Sequence, residues 1–458
     1  MADKHGAAGF MDSSSVSRNS AIAASSTPES ERSRIQALLV ACATIALERF
    51  AFYLVFSLYT LCLVERHRFT AAQAATHYGV FIGLSYFTPL LGGPIADRFG
   101  RWSTVAVSGV FLSISYFLLM SATQLIPFLF LFSLGSGLFK GNITSTVGAL
   151  FPNEAERDTA YSRFYLAINL GSLPAGFFGA WLVPKHGYGA AFLVSGLACL
   201  LATLLWSIAR RLLSIHPQQS RRHHDAADRE RIIALLVLLP VPVTFFFVFH
   251  QSGSSLTLFA SDHTLPTLLG IKLNPPVYQS LQSLLVIAAT PLLNRMWQRW
   301  PLAIDLKILV GVALCSASCL VMVTASLLGG DTVRISPLWL IGSYLLISIS
   351  ELCVSPVGFS LVSTLSPPRR VGLIMGVWFA AIALGNLSAG LIGRYWTQWS
   401  HHTFFMVLSV LSTLALPLLL SQRRRLRSIL GTTPQTPAQD TNGPKEQSGQ
   451  HPDGKTPN

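Results

Sequence analysis

Long apolar runs alternate along this chain with short joints that are polar and basic. A helix that crosses a membrane needs about 20 mostly apolar residues. Twelve stretches meet that need, at 35–63, 74–96, 102–122, 125–150, 161–183, 189–209, 232–260, 277–296, 306–328, 337–361, 371–396 and 403–421. The longest polar interruption holds Arg221, Arg222, His223, His224 and Asp225, and it divides the spans into two sets of six. The pattern predicts an all-α integral membrane protein. An N-terminal six-helix half covers 34–209, a linker 210–231 and a C-terminal six-helix half 232–421. The Ser-rich segment 1–33 and the basic, then Pro-, Gln- and Thr-rich segment 422–458 read as disordered tails. No early apolar stretch has the form of a cleavable signal.

Composition agrees with the pattern. Of the 458 residues, 51% are hydrophobic and only 12% charged. Soluble domains carry about 25% charged residues, so lipid is the expected solvent for most of this surface. The net charge of +13 does not call for nucleic acid, because the excess Arg and Lys sits in the joints between spans. With both termini placed inside, the short inner loops hold fifteen basic residues and the outer loops six. That asymmetry predicts cytoplasmic termini in a plasma or inner cell membrane. Cys42, Cys62, Cys199, Cys315, Cys319 and Cys353 all lie in apolar runs and read as small buried hydrophobes. No phosphate-binding loop, zinc spacing or serine-hydrolase elbow is present, which points away from an enzyme, from ATP drive and from a cofactor. The Asn142-Ile143-Thr144 tripeptide matches a glycosylation acceptor but falls inside a span.

Few ionisable residues lie well inside the spans: Glu48, Arg49, Lys140, His250 and Glu351. A charge at the centre of a span costs at least about 2.5 kcal/mol on insertion scales. Such residues persist where they face a bundle interior and carry solute or protons, although helix-to-helix packing is the plainer reading for any one of them. Glu351 is a candidate proton carrier, because protonation removes the cost of a charge in low dielectric. Arg49 beside Glu48 holds it ionised unless the pair separates, so the pair could act as a switch. Glycines in the fourth and eleventh spans, and Pro356 with Gly358 in the tenth, serve as hinges or as close-packing points. Two halves of six suit a secondary transporter with a site at their interface. Twelve spans alone also suit a channel or a membrane enzyme.

Several ordered segments carry a resemblance. Gly92-Gly93-Pro94-Ile95-Ala96-Asp97-Arg98-Phe99-Gly100-Arg101 resembles the loop motif of the major facilitator superfamily. Glu48-Arg49-Phe50-Ala51-Phe52-Tyr53 resembles the first-helix signature of its proton-dependent oligopeptide transporter family. Phe164-Tyr165-Leu166-Ala167-Ile168-Asn169-Leu170-Gly171-Ser172 resembles the fifth-helix signature. Gly137-Leu138-Phe139-Lys140-Gly141-Asn142, Glu351-Leu352-Cys353-Val354-Ser355-Pro356 and Met375-Gly376-Val377-Trp378 are similar to the fourth, tenth and eleventh helices. The resemblance implies the superfamily fold and proton-driven uptake of di- and tripeptides by alternating access. It implies that Glu48, Arg49, Lys140, Glu351 and His250 couple protons. Tyr53, Tyr86, Lys140, Asn169, Gln282, Glu351 and Trp378 would bind substrate. Asp97, Arg98 and Arg101 would latch the cytoplasmic gate. The implied partners are a small peptide, protons and the bilayer; the oligomeric state is open, and a monomer is compatible.

The chain departs from the family pattern at charged positions. Ile45 stands where the first-helix signature begins with Glu, Phe56 where an Arg is common, and His250 where the seventh helix often carries an acid. Gln282 replaces an Asn, and the linker is too short for two extra helices. An unperturbed His titrates near pH 6.5, so His250 could take over from a carboxylate. Loss of acidic groups also leaves open an anion or an amino-acid derivative as solute, or weakened coupling. A membrane sensor or assembly protein that kept the fold is a further alternative.

Overall fold

The computed structural model describes residues 28–421 and 423, apart from 122–123, 152–153, 213–227, 301, 330 and 367–370. Most of the two expected tails and of the linker lies outside the described residues. In lipid, backbone polar groups must be satisfied within their own segment, and the described chain is accordingly almost all helix. The first helix, α1 (Pro28–Glu65), starts inside the stretch expected to be a tail. Next come α2 (Ala71–Phe87), α3 (Pro89–Phe99), α4 (Arg101–Leu118) and α5 (Leu125–Leu150). A single helical run, α6 (Glu154–Leu212), carries two spans. Gly187 turns it at φ 76°, a left-handed conformation that suits glycine.

The second half opens with α7 (Asp228–Leu238) and α8 (Pro240–Phe249). A 3-10 turn at His250–Gly253 and α9 (Ser255–Asp262) complete the same span. A two-stranded hairpin, β1 (Thr267–Leu268) with β2 (Ile271–Lys272), precedes α10 (Pro275–Arg299). The chain continues through α11 (Ile304–Gly329), α12 (Pro337–Leu365), α13 (Val371–Ile392) and α14 (His401–Thr413).

Nine helical stretches among the described residues are long and apolar enough to cross a membrane. One of them, Thr159–Arg210, holds the fifth and sixth expected spans. The second and third expected spans fall on α2–α3 and on α4. The break between α2 and α3 follows from Pro89, which cannot donate a helical hydrogen bond. Thr88 mends it, donating to the carbonyls of Leu84 at 3.1 Å and Ser133 at 2.6 Å.

Each half builds its own apolar core. One is centred on Phe81, Phe128, Phe132 and Tyr116, the other on Phe245, Met322, Tyr344 and Phe404. Contacts between the halves gather toward the end of the bundle opposite both termini. There α2 crosses α13 so closely that a Cβ on Gly79 would lie 2.5 Å from the Cα of Gly390. The crossing of α6 with α10 is similar, since a Cβ on Gly176 would meet the Pro276 carbonyl at less than contact distance. Ser172 bonds Ser283 at 2.9 Å, and the Phe177 N–H donates to Ser280 at 2.9 Å. The Thr60 hydroxyl donates to the Gly253 carbonyl at 2.5 Å. Most glycines expected as hinges or packing points are packing points: Gly376 meets Leu90, Gly385 meets Val243 and Gly358 meets Trp378. Gly141 stands in open space.

Candidate functional site

The ionisable residues of the spans converge between the halves. Glu48 and Arg49 are consecutive on α1 and both buried, at 0% and 6% exposure. They form a two-pronged ion pair, with Nε on one carboxylate oxygen and Nη2 on the other at 2.6 Å each. Such a fork neutralises both charges locally. The guanidinium also lies 4.6 Å over the Phe52 ring.

Lys140, on α5, is different. Its buried Nζ has no hydrogen-bond partner among the described residues. It rests 4.3 Å over the Tyr86 ring and 5.0 Å over Phe52, two aromatic faces that attract a cation without neutralising it. Ile45, where the family signature places an acid, is buried and apolar.

Across the gap, Glu351 on α12 is half-buried and joins no ion pair among the described residues. It lies near enough to Tyr53, Tyr86 and Tyr165 of the first half to act on them electrostatically. A lone cation on one half and a lone carboxylate on the other therefore bracket a tyrosine-lined gap.

Asn169 is half-buried and turns its amide to the Tyr165 carbonyl at 3.0 Å. Gln282, buried on α10, accepts from Gln279 at 3.1 Å and so faces its own helix. Trp378 is 4% exposed and packs its ring against Gly358, inside the second half. Its neighbour Phe379 is the one that reaches Tyr86, at 6.3 Å between centroids. The resemblance pointed to Trp378 because of its motif; one residue further along a helix points about 100° away, a rotation that the motif alone does not reveal. Tyr165, the second residue of the fifth-helix signature, was legible as a polar aromatic but was not singled out.

His250 opens the 3-10 turn that interrupts the seventh span. Its ring meets Phe56 edge-on at 5.9 Å, and its Nδ1 lies 3.4 Å from the Tyr78 hydroxyl. Arg98 is exposed with its guanidinium 5.6 Å from the Phe99 centroid, and Arg101 is half-buried at the start of α4. The side chain of Asp97 lies outside what the structure describes. Gly100 makes the tight turn between them at φ 83°. Among the described residues no group of three His, Cys, Asp or Glu is arranged to hold a metal. Cys42 is only half-buried, unlike the other five cysteines, and all six are free thiols.

The sequence profile of the POT family matches residues 103–222 and 213–407, more than half of the chain. The chain is 28% identical over 411 residues to the peptide transporter YePEPT of Yersinia enterocolitica, covering 70% of this chain and 79% of that protein. It is 27% identical over 408 residues to dipeptide and tripeptide permease A of Salmonella typhi, covering 76% and 81%. Among solved structures, a peptide transporter POT in complex with sulfate superimposes with a TM-score of 0.78 at 21% identity, over 85% of this chain and 95% of that one. A POT family transporter in complex with 5-aminolevulinic acid gives 0.79 at 20% identity, over 85% and 96%. The chain shares the fold of these solved structures.

Proposed function

Because the chain belongs to the POT family, a family of multi-pass membrane transporters, we propose that it takes up di- and tripeptides by proton-coupled alternating access. The observation that carries this reading is the pair of unmatched charges, Lys140 on one half and Glu351 on the other. A small peptide is a zwitterion. Its carboxylate suits Lys140 and its ammonium suits Glu351, so one solute satisfies two groups that the protein leaves open. Binding such a solute draws the halves together, which is the step alternating access requires. Tyr53, Tyr86 and Tyr165 line the space between, and Phe379 closes it from α13.

In the same reading Glu351 carries the proton. Protonated, it releases the ammonium group and relieves its own desolvation. The Glu48–Arg49 fork stays neutral through the cycle or opens as a switch, and His250 supplies a second titrating group at the closed end. The basic-residue asymmetry supports a cell-membrane protein with both termini in the cytoplasm and the closed end outside. A second reading rests on Lys140 alone: without an acid at position 45, the first half offers an excess positive charge to an anionic solute.

The test is uptake of labelled dialanine into proteoliposomes, with and without an inward proton gradient, for the wild type and Glu351→Gln. Gradient-stimulated uptake that the variant loses is the expected result. A folded wild type that moves no dialanine overturns the peptide reading and favours an anion.

A further inference from the structure

The junction of α2, α13 and the turn His250–Gly253 holds buried polar atoms that the described protein does not satisfy. Asn386, on α13, is 0% exposed, and neither its Oδ1 nor its Nδ2 has a hydrogen-bond partner. His250 is 4% exposed and its Nε2 is likewise unpartnered. A carboxamide in apolar surroundings gives up its bonds to water, so an amide with two orphaned atoms is a poor choice for a core that needs only packing. Its helical neighbours Ala383, Leu387 and Ala389 show that apolar side chains suit this region.

The register of α13 puts both residues at one seam. Its α2 face is marked by Leu387, against Gly83, and Gly390, against Gly79. Its α8 face is marked by Gly385, against Val243 and Phe247, and by Ala389, whose carbonyl accepts from Gln251 Nε2 at 3.4 Å. At 3.6 residues per turn, position 386 falls between those two faces. The same pairings set Asn386 within about one helical turn of His250 along the axis. The titratable groups that face the His250 ring are Tyr78 and Tyr86 from α2, and Lys140, which acts on it from α5. Opposite them α1 presents Phe56, and α8 presents Phe246 and Phe249.

We propose that Asn386 is a positioning residue for His250, the two sharing one bridging water at this seam. The Tyr78 hydroxyl donates to Nδ1, which leaves the ring proton on Nε2. Nε2–H donates to the water, and the water donates to Asn386 Oδ1. The chain fixes one tautomer of His250 and gives its Nε2 a route for proton exchange between the halves. This inference rests on His250 acting in coupling.

The test has a spectroscopic and a transport arm. Full-length protein labelled with 15N-histidine is compared with Asn386→Leu, and His250→Gln identifies the His250 signals by difference. The expected wild-type signal is a single Nε2-protonated tautomer with a hydrogen-bonded Nε2. In Asn386→Leu the Nε2 resonance moves and the tautomers mix, while the midpoint of thermal unfolding holds or rises. In proteoliposomes the variant loses several-fold of gradient-driven dialanine uptake and shifts its pH profile, but retains gradient-free exchange. Adding Asn386→Leu to His250→Gln lowers uptake no further. Unchanged His250 resonances, or additive losses in the double variant, overturn the proposal. Asn386→Ala serves if the leucine disturbs folding. A wild type that moves no dialanine defeats the peptide reading instead, and the 15N comparison still decides this one.

Discussion

Two polar regions of this molecule handle buried charge in opposite ways. At the closed end of the second half, a brace of loop residues is fully paired. The His401 Nδ1 meets Asp331 Oδ1 at 2.5 Å, and the same carboxylate accepts the His401 backbone N–H at 3.2 Å, capping α14 from a different loop. The His401 ring packs at a tilt against His263 and Trp396, each at 4.3 Å between centroids. Between the halves, Lys140 Nζ, the Asn386 amide and His250 Nε2 have no partner among the described residues. The brace invests its polar groups in its own stability. The groups between the halves forgo that stability. Burial alone does not separate the two; the partner list does.

The largest expected effect breaks the comparison at the gap. Lys140→Ala removes the cation proposed to meet the solute carboxylate, and the expected loss is roughly 10- to 100-fold in uptake efficiency. Thermal stability stays level or rises, because an unpaired buried cation is lost; proteoliposome uptake and a melting curve on the same sample check both halves of that statement. Gly79→Leu comes next. The added side chain cannot fit beside Gly390, so α2 and α13 separate at the closed end. Spin-label distances across that end should lengthen and uptake should fall, with the brace undisturbed.

Asp331→Ala reverses the pattern. Loss of the cap and the ion pair costs about 1 kcal/mol, a drop of a few degrees in the melting midpoint, while the KM for dialanine stays that of the wild type. A change in KM as large as that of Lys140→Ala would erase the distinction between the regions. The smallest effect concerns His263, which sits just beyond the span ending at Asp262. Burial first, and then the neighbouring His401, hold it below the ordinary histidine range, while Asp262 and Asp331 partly offset this. The unfolded chain therefore binds a proton more readily than the folded one. Its contribution is absent well above pH 6.5 and becomes destabilising as pH falls through that unfolded value. His263→Asn should show a shallower loss of melting temperature between neutral and mildly acidic pH than the wild type.

Much of the fold was legible because each span carries its own transfer free energy. Every stretch expected to cross the membrane falls on helix, and the buried charges Glu48, Arg49, Lys140 and Glu351 do gather between the halves. The break at Thr88–Pro89 and the reversal at Gly187 were not anticipated in their details, although the proline and the glycine stood in view. Within the site, the Glu48–Arg49 pair could be foreseen from adjacency, and its two-pronged geometry could not. Trp378 was favoured over Phe379 because the motif names a residue and not a direction. Asn386 was not singled out from the sequence; a buried amide becomes notable when its surroundings are known.

Hydropathy, the spacing of basic joints and the ordered motifs determined from sequence alone that this is a two-half membrane transporter of one family. Those signals are local, since each depends on residues within a single helix or loop. Which charges are neutralised and which stay open was decided only by the tertiary structure. Lys140 is free because what it meets are two aromatic rings, and His250 meets Phe56 and Tyr78 because α1, α2 and the break in the seventh span converge. Those neighbours are distant in the chain, and only the packing of helices brings them within the few ångströms over which hydrogen bonds and ion pairs act.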